Sequence, residues 1–168
     1  MSIDELLRAP ERATGLDRVA VPLHRRLTRV ADRNPAAAAV LRGRWVGHPV
    51  HPAVVALPVG AWTAAVVLEM VLRDHHAARR LIGLGLVCVP VAVATGWADW
   101  SVRDERDRRA GLVHAAGNTL GTLAMLRSYL LRSGSAGARA QAWSVAGLAV
   151  VGVSGTLGGH IAFGGGSA

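Results

Sequence analysis

The chain contains no lysine, one cysteine, one tyrosine and one phenylalanine, and four long stretches of it carry almost no charge. Each scarcity excludes something. Cys88 alone can neither close an internal disulfide nor build a thiolate metal centre. Without lysine, the formal charge of +8 comes from arginine alone. No tract interleaves those arginines with aromatics for base stacking, so a nucleic-acid partner is set aside. The opening Met1-Ser2-Ile3-Asp4-Glu5 is acidic and has no apolar h-region, so it does not read as a signal peptide. The missing charge matters most. Residues 53–72 carry only Glu69, and residues 81–98, 110–126 and 140–163 carry none. A bilayer span needs about 20 apolar residues, roughly 17–25. Charge-free runs of that length leave no solvated face for a soluble domain. A composition 51% hydrophobic and 18% charged agrees.

The expected fold is therefore all-α: an integral membrane, up-down-up-down four-helix bundle preceded by an amphipathic helical segment. The spans are placed at about 52–72, 81–100, 110–131 and 141–163, forming a domain over 47–163 with a short tail at 164–168. The short loops Arg73–Arg80, Ser101–Arg109 and Arg127–Gln141 enforce the antiparallel order. Pro58 and Pro90 fall inside the first two spans. Trp45, Trp97, Trp100 and Phe163 at one face, and Tyr129 and Trp143 at the other, suit an interfacial belt. In the Arg-rich lead segment 1–46, Leu16, Val19, Leu23, Leu27 and Val30 recur at helical spacing. That stripe predicts a helix lying on lipid or against the bundle, with Thr14 as its N-cap and Asn34-Pro35 as its stop. A second short helix is expected over Pro35–Leu41. Both termini fall on one side. Thirteen arginines lie on that side against six on the other, and seven against six when only those near a span are counted, which favours a cytoplasmic location for the termini. The lipid bilayer is the first partner the chain implies.

Such a bundle gathers a polar set at one face. His48 and His51 lie in Gly47-His48-Pro49-Val50-His51-Pro52, at the mouth of the first span. Asp99 closes the second, His114 opens the third, and His160 falls in the last turn of the fourth. Ionisable groups at membrane depth are costly, so a cluster of them points to function. Away from that face, His24, His75 and His76 read as surface residues. Glu69 reads as snorkelling, or pairing with Arg73 one turn on.

These motifs, with Thr95-Gly96-Trp97-Ala98-Asp99-Trp100, His114 with Asn118, Ser154-Gly155 and Gly158-Gly159-His160, resemble the domain-of-unknown-function 2231 family of bacterial membrane proteins. The resemblance covers roughly residues 47–163, and the paired His-Pro motif is its most specific part. It implies a four-helix membrane domain with these polar residues as hallmark. Similar domains occur joined to Rieske iron–sulfur or c-type cytochrome domains, which implies a redox partner of that kind.

Three chemistries compete for the cluster. A b-type haem needs two axial imidazoles on different helices and small residues where the porphyrin lies flat. His114 facing His48 or His51 serves, with His160 as another candidate, and Gly111, Gly117 and Gly121 giving room. Asp99, Asn118 and Ser154 are then supporting groups around the imidazoles. Alternatively, His48, His51, His114 and His160 with Asp99 hold a Zn-type ion for membrane hydrolysis. A third reading has no cofactor, the histidines simply bonding across helices. Gly152-Val153-Ser154-Gly155 matches a Gly-x-Ser-Gly protease motif, but the six-helix context of that chemistry is missing.

Overall fold

The computed structural model describes residues 2–132 and 137–163, and of Phe163 only the backbone. The expected tail at 164–168, and the place of Phe163 in an aromatic belt, lie outside the described residues. All regular structure among the described residues is helical. The first helix, α1 (Ile3–Arg8), opens on a capping box in which the Ser2 hydroxyl accepts from Glu5 N while Glu5 accepts from Ser2 N. Two 3₁₀ turns follow, then α2 (Asp17–Arg33) and α3 (Pro35–Leu41). Asn34 ends α2 and caps α3, its Oδ1 accepting from Ala37 N at 3.1 Å, so that stop and the second short helix lie where the sequence puts them. Thr14 does not cap α2. It starts the second 3₁₀ turn, and α2 begins at Asp17 without a side-chain cap.

Four long helices follow: α4 (His51–Leu72), α5 (His75–Trp100), α6 (Glu105–Leu131) and α7 (Gly137–Phe163). They run unbroken through Pro58 and Pro90. Their connections are shorter than the charge pattern suggests. Asp74 and Asp104 each accept at 2.9 Å from the backbone N–H three residues on, Ala77 and Asp107. Both aspartates thus start a helix inside the Arg-rich stretch rather than after it. Among the described residues, His51–Leu72, His75–Trp100 and Gly137–Ala162 are long and apolar enough to cross a membrane. Helix α6 is as long but does not reach that apolarity. Its exposed residues nonetheless include Leu120, Leu123, Leu126 and Leu130.

The chain forms two compact units. One consists of Pro52–Ala92 with Gly117–Val153. Its core holds Trp62, Ala65, Ala78, Ile82, Met125 and Val151. The Trp62 indole donates to Ile82 O at 3.2 Å and lies on the bare backbone of Gly85, where a Cβ would collide with the ring. Gly121 and Gly147 bring α6 and α7 so close that a Cβ on Gly147 would sit 3.0 Å from Gly121 O.

The other unit holds the lead segment up to His51, Val93–Ala116 and the residues from Ser154 on. It therefore contains the start of α4, the end of α5, the start of α6 and the end of α7. Here the lead segment packs on helix ends. Arg42 donates to Ala98 O at 3.1 Å and to Ser101 Oγ at 2.9 Å, and His24 donates to Ser101 O at 3.0 Å. Carbonyls at the α5 C-terminus, orphaned by helix geometry, thereby gain partners and a positive charge. Trp100 is buried rather than part of a belt. Its indole donates to Arg108 O at 2.9 Å and meets Trp97 edge-on. Arg109 grips Asp17 through two bonds of 2.7 Å and reaches Glu11 O at 3.0 Å.

The Arg109 guanidinium holds the Asp17 carboxyl below the usual carboxylate range. A carboxylate whose folded pKa lies below its unfolded one adds stability that is present above the unfolded pKa and lost as pH falls through the folded one. The Asp17 contribution to docking of residues 3–16 should thus be lost below about pH 4. Rate-corrected hydrogen exchange checks this, and Asp17→Asn at pH 7 should reproduce the acid pattern; an unaltered variant would contradict it.

Candidate functional site

Each imidazole of the expected cluster has a definite place. His51, the first residue of α4, shares a 3.2 Å hydrogen bond with the Thr95 hydroxyl of α5. Its ring lies over Gly96, where a Cβ would come within 2.9 Å of Cε1. His114 of α6 repeats this on α7. Its Nδ1 donates to Ser154 O at 2.7 Å, the Ser154 hydroxyl donates back to His114 O at 2.8 Å, and the ring sits on Gly158. A carbonyl can only accept, so the His114 proton is on Nδ1 and the lone pair of the neutral ring on Nε2.

The other expected residues are arranged differently. His160 donates to Glu11 of the lead segment at 2.8 Å. His48 is exposed and turns back to Pro49 O at 3.1 Å. Asp99 is half-buried, within electrostatic reach of Arg103 and Arg42. Asn118 is half-buried and belongs to the unit of Pro52–Ala92 with Gly117–Val153. Among the described residues, no three His, Cys, Asp or Glu are grouped to share a metal ion. Two imidazoles suffice as axial ligands to a haem iron, and a backbone carbonyl fixing the tautomer is the usual support of a ligating histidine. That donor chemistry fits His114; the partner of His51 is the Thr95 hydroxyl, which donates or accepts and so does not fix the ring's tautomer. The expected room does not come from Gly111 or Gly121, whose backbones are covered by the Trp100 indole and by Val151.

Sequence reasoning missed a second polar constellation. Glu69 is 2% exposed and does not snorkel or pair with Arg73. It forms an ion pair with Arg132, and His75 donates to its other oxygen at 3.0 Å. Arg132 also donates to Ser128 Oγ at 3.0 Å, while its Nε is buried without a hydrogen-bond partner among the described residues. His75 is exposed, as the sequence suggests, yet bonds Glu69, whereas His24 is half-buried.

A signal for this pair was present in the spacing. Pro58, Trp62, Ala65 and Glu69 face inward from α4. Shifted by 63 positions, the separation of Glu69 and Arg132, they become Gly121, Met125 and Ser128 of α6 and Arg132 just beyond its end. The same shift takes His51 to His114. With one position less, Ala78, Ile82, Thr95 and Gly96 of α5 become Ala140, Ser144, Leu157 and Gly158 of α7. The hairpin α4–α5 and the hairpin α6–α7 are built on one burial pattern. His51 and His114, each seated on a glycine of the next helix, are equivalent positions in it.

A sequence family described as "Predicted membrane protein (DUF2231)" matches residues 47–167. No curated protein and no solved structure matches the chain.

Removing one partner of a buried ion pair strands the other charge, at a cost of about 3–5 kcal/mol, whereas replacing both with apolar residues is near neutral. Glu69→Ala should therefore unfold in far milder sodium dodecyl sulfate than the parent, and the double variant E69M/R132M should unfold near it. Equal loss in both would show that shape, not charge, makes this contact.

Proposed function

Since the chain belongs to the DUF2231 family of predicted membrane proteins, we propose that it is a membrane-embedded electron-transfer module, its His51 and His114 offering imidazoles to the iron of a b-type haem. The observation that carries this reading is the 2.7 Å bond from His114 Nδ1 to Ser154 O, which sets Nε2 as the donor nitrogen. The equivalence of His51 and His114 in the two hairpins supports it, because a repeated fold supplies a matched pair of ligands from different helices. When bound, such a haem supplies a one-electron couple. The chain's own residues do the rest. Thr95 and Ser154 hold the two rings, and Gly96 and Gly158 give those rings their seats. Asp99, beside Arg42 and Arg103, supplies polar groups on the same unit. In this reading α6 crosses the bilayer with its three neighbours, both termini are cytoplasmic, and the electron partner is a redox protein of the Rieske or c-type cytochrome kind.

The test is an absorption spectrum of the detergent-purified protein, oxidised and then reduced with dithionite, with metal analysis of the same sample. A Soret band that shifts on reduction, with about one haem per chain or per pair of chains, is the expected outcome. His114→Ala should abolish haem retention while eluting as a single species, and His160→Ala, whose imidazole is engaged by Glu11, should retain it. A colourless protein that takes up no haem on reconstitution overturns the proposal. Stoichiometric zinc in that sample would move the site to hydrolytic chemistry.

A further inference from the structure

A groove of about 470 Å³ opens in the unit of Pro52–Ala92 and Gly117–Val153. It is lined by His76, Arg79, Arg80, Gly83, Val87 and Tyr129. Three of these side chains are basic and none is acidic. Along α5 the charged residues come first, in its opening turns, and Gly83 and Val87 follow one and two turns further on. Charge at one end and an apolar wall at the other suits an amphiphile better than a soluble anion. The wall is open outward, Val87 being 76% exposed and its neighbour Leu84 56% exposed. Helix α5 is long and apolar enough to cross a membrane, so its first turns lie where headgroups do.

The charged end is organised rather than merely basic. The Tyr129 ring packs flush on Gly83, where a Cβ would come within 3.0 Å of Cε2. The Arg79 guanidinium lies over that same ring, 4.8 Å from its centroid. A stacked guanidinium has its plane fixed, and a fixed fork of N–H groups is suited to the paired oxygens of a phosphate. Arg80 and His76, both exposed, flank it.

We propose that this groove binds the phosphate of an anionic phospholipid, with Arg79 and Arg80 taking the charge and the Gly83–Val87 wall taking the start of an acyl chain. The site does not include His51 or His114, and the proposal does not rest on the haem reading.

The test is native mass spectrometry of the full chain in neutral micelles, titrated with phosphatidylglycerol or with phosphatidylcholine of the same acyl chains. One tightly held phosphatidylglycerol, retained well beyond phosphatidylcholine, is expected. Each arginine near a headgroup contributes about fivefold in binding, so R79Q/R80Q should weaken phosphatidylglycerol by about 25-fold. The charge-matched pair R25Q/R26Q, exposed on α2, should leave it unchanged. If R79Q/R80Q does not fold, H76A/R80Q carries the test, because both of its side chains are exposed, and several-fold weaker binding is expected. Equal binding of the two lipids, or an equal loss in R25Q/R26Q, overturns the proposal. Inorganic phosphate at millimolar concentration should not displace the lipid. Phosphate binding without any lipid preference would assign the groove to a soluble anion and likewise overturn it.

Discussion

A polar group left unsatisfied in hydrocarbon costs several kcal/mol, and no water stands by to relieve it. That constraint decides where the polar side chains of the four long helices go. The Trp62 indole donates to Ile82 O, the Ser128 hydroxyl to Ala140 O at 2.6 Å, and the Ser144 hydroxyl to Gln141 O at 2.9 Å. His114 and Ser154 exchange bonds across α6 and α7 in the same way. Even the buried charge of Glu69 is matched by Arg132 and by a bond from His75. Apart from the Ser144 bond, which stays within α7, these bonds tie one helix to another, and small residues let the backbones come within reach.

The lead segment answers the same constraint at the helix ends. The last carbonyls of a helix have no partner within it. Arg42 and His24 reach back from the lead segment to the end of α5, while Arg103 serves Ile161 O of α7 at 3.2 Å. Glu11 and Asp17 in turn receive His160 and Arg109. Arg42, from the Arg-rich segment before the first span, thus has a structural use.

Long-range pairing was the part least legible in the sequence. The absence of charge located the apolar stretches, and helical spacing revealed α2 and its stop at Asn34. Boundaries were misplaced where Asp74 and Asp104 cap helices within Arg-rich stretches, because charge marks the limit of lipid and not the limit of a helix. Glu69 was assigned the partner that local geometry offers, Arg73, since pairing rules within a helix say nothing of a residue on another. Only the repeated spacing from His51 to His114 could have pointed to Arg132. His160 was placed among the other histidines by topology, but Glu11, an acidic residue in a segment with no fixed position in a sequence reading, stands closer. Trp100 looked interfacial for a similar reason: nothing local announces that Gly111 leaves a gap shaped for its ring.

The common pattern of the two hairpins bears on how this membrane protein could have arisen. A single hairpin that associates with a second copy of itself about a two-fold axis presents the same residue from both sides at each equivalent position. Glutamate would then meet glutamate, or arginine would meet arginine, with like charges held together out of water. Glu69 facing Arg132 is open only to two halves whose sequences differ. An opposite pair at such equivalent positions thus ties the first hairpin to the second and distinguishes them.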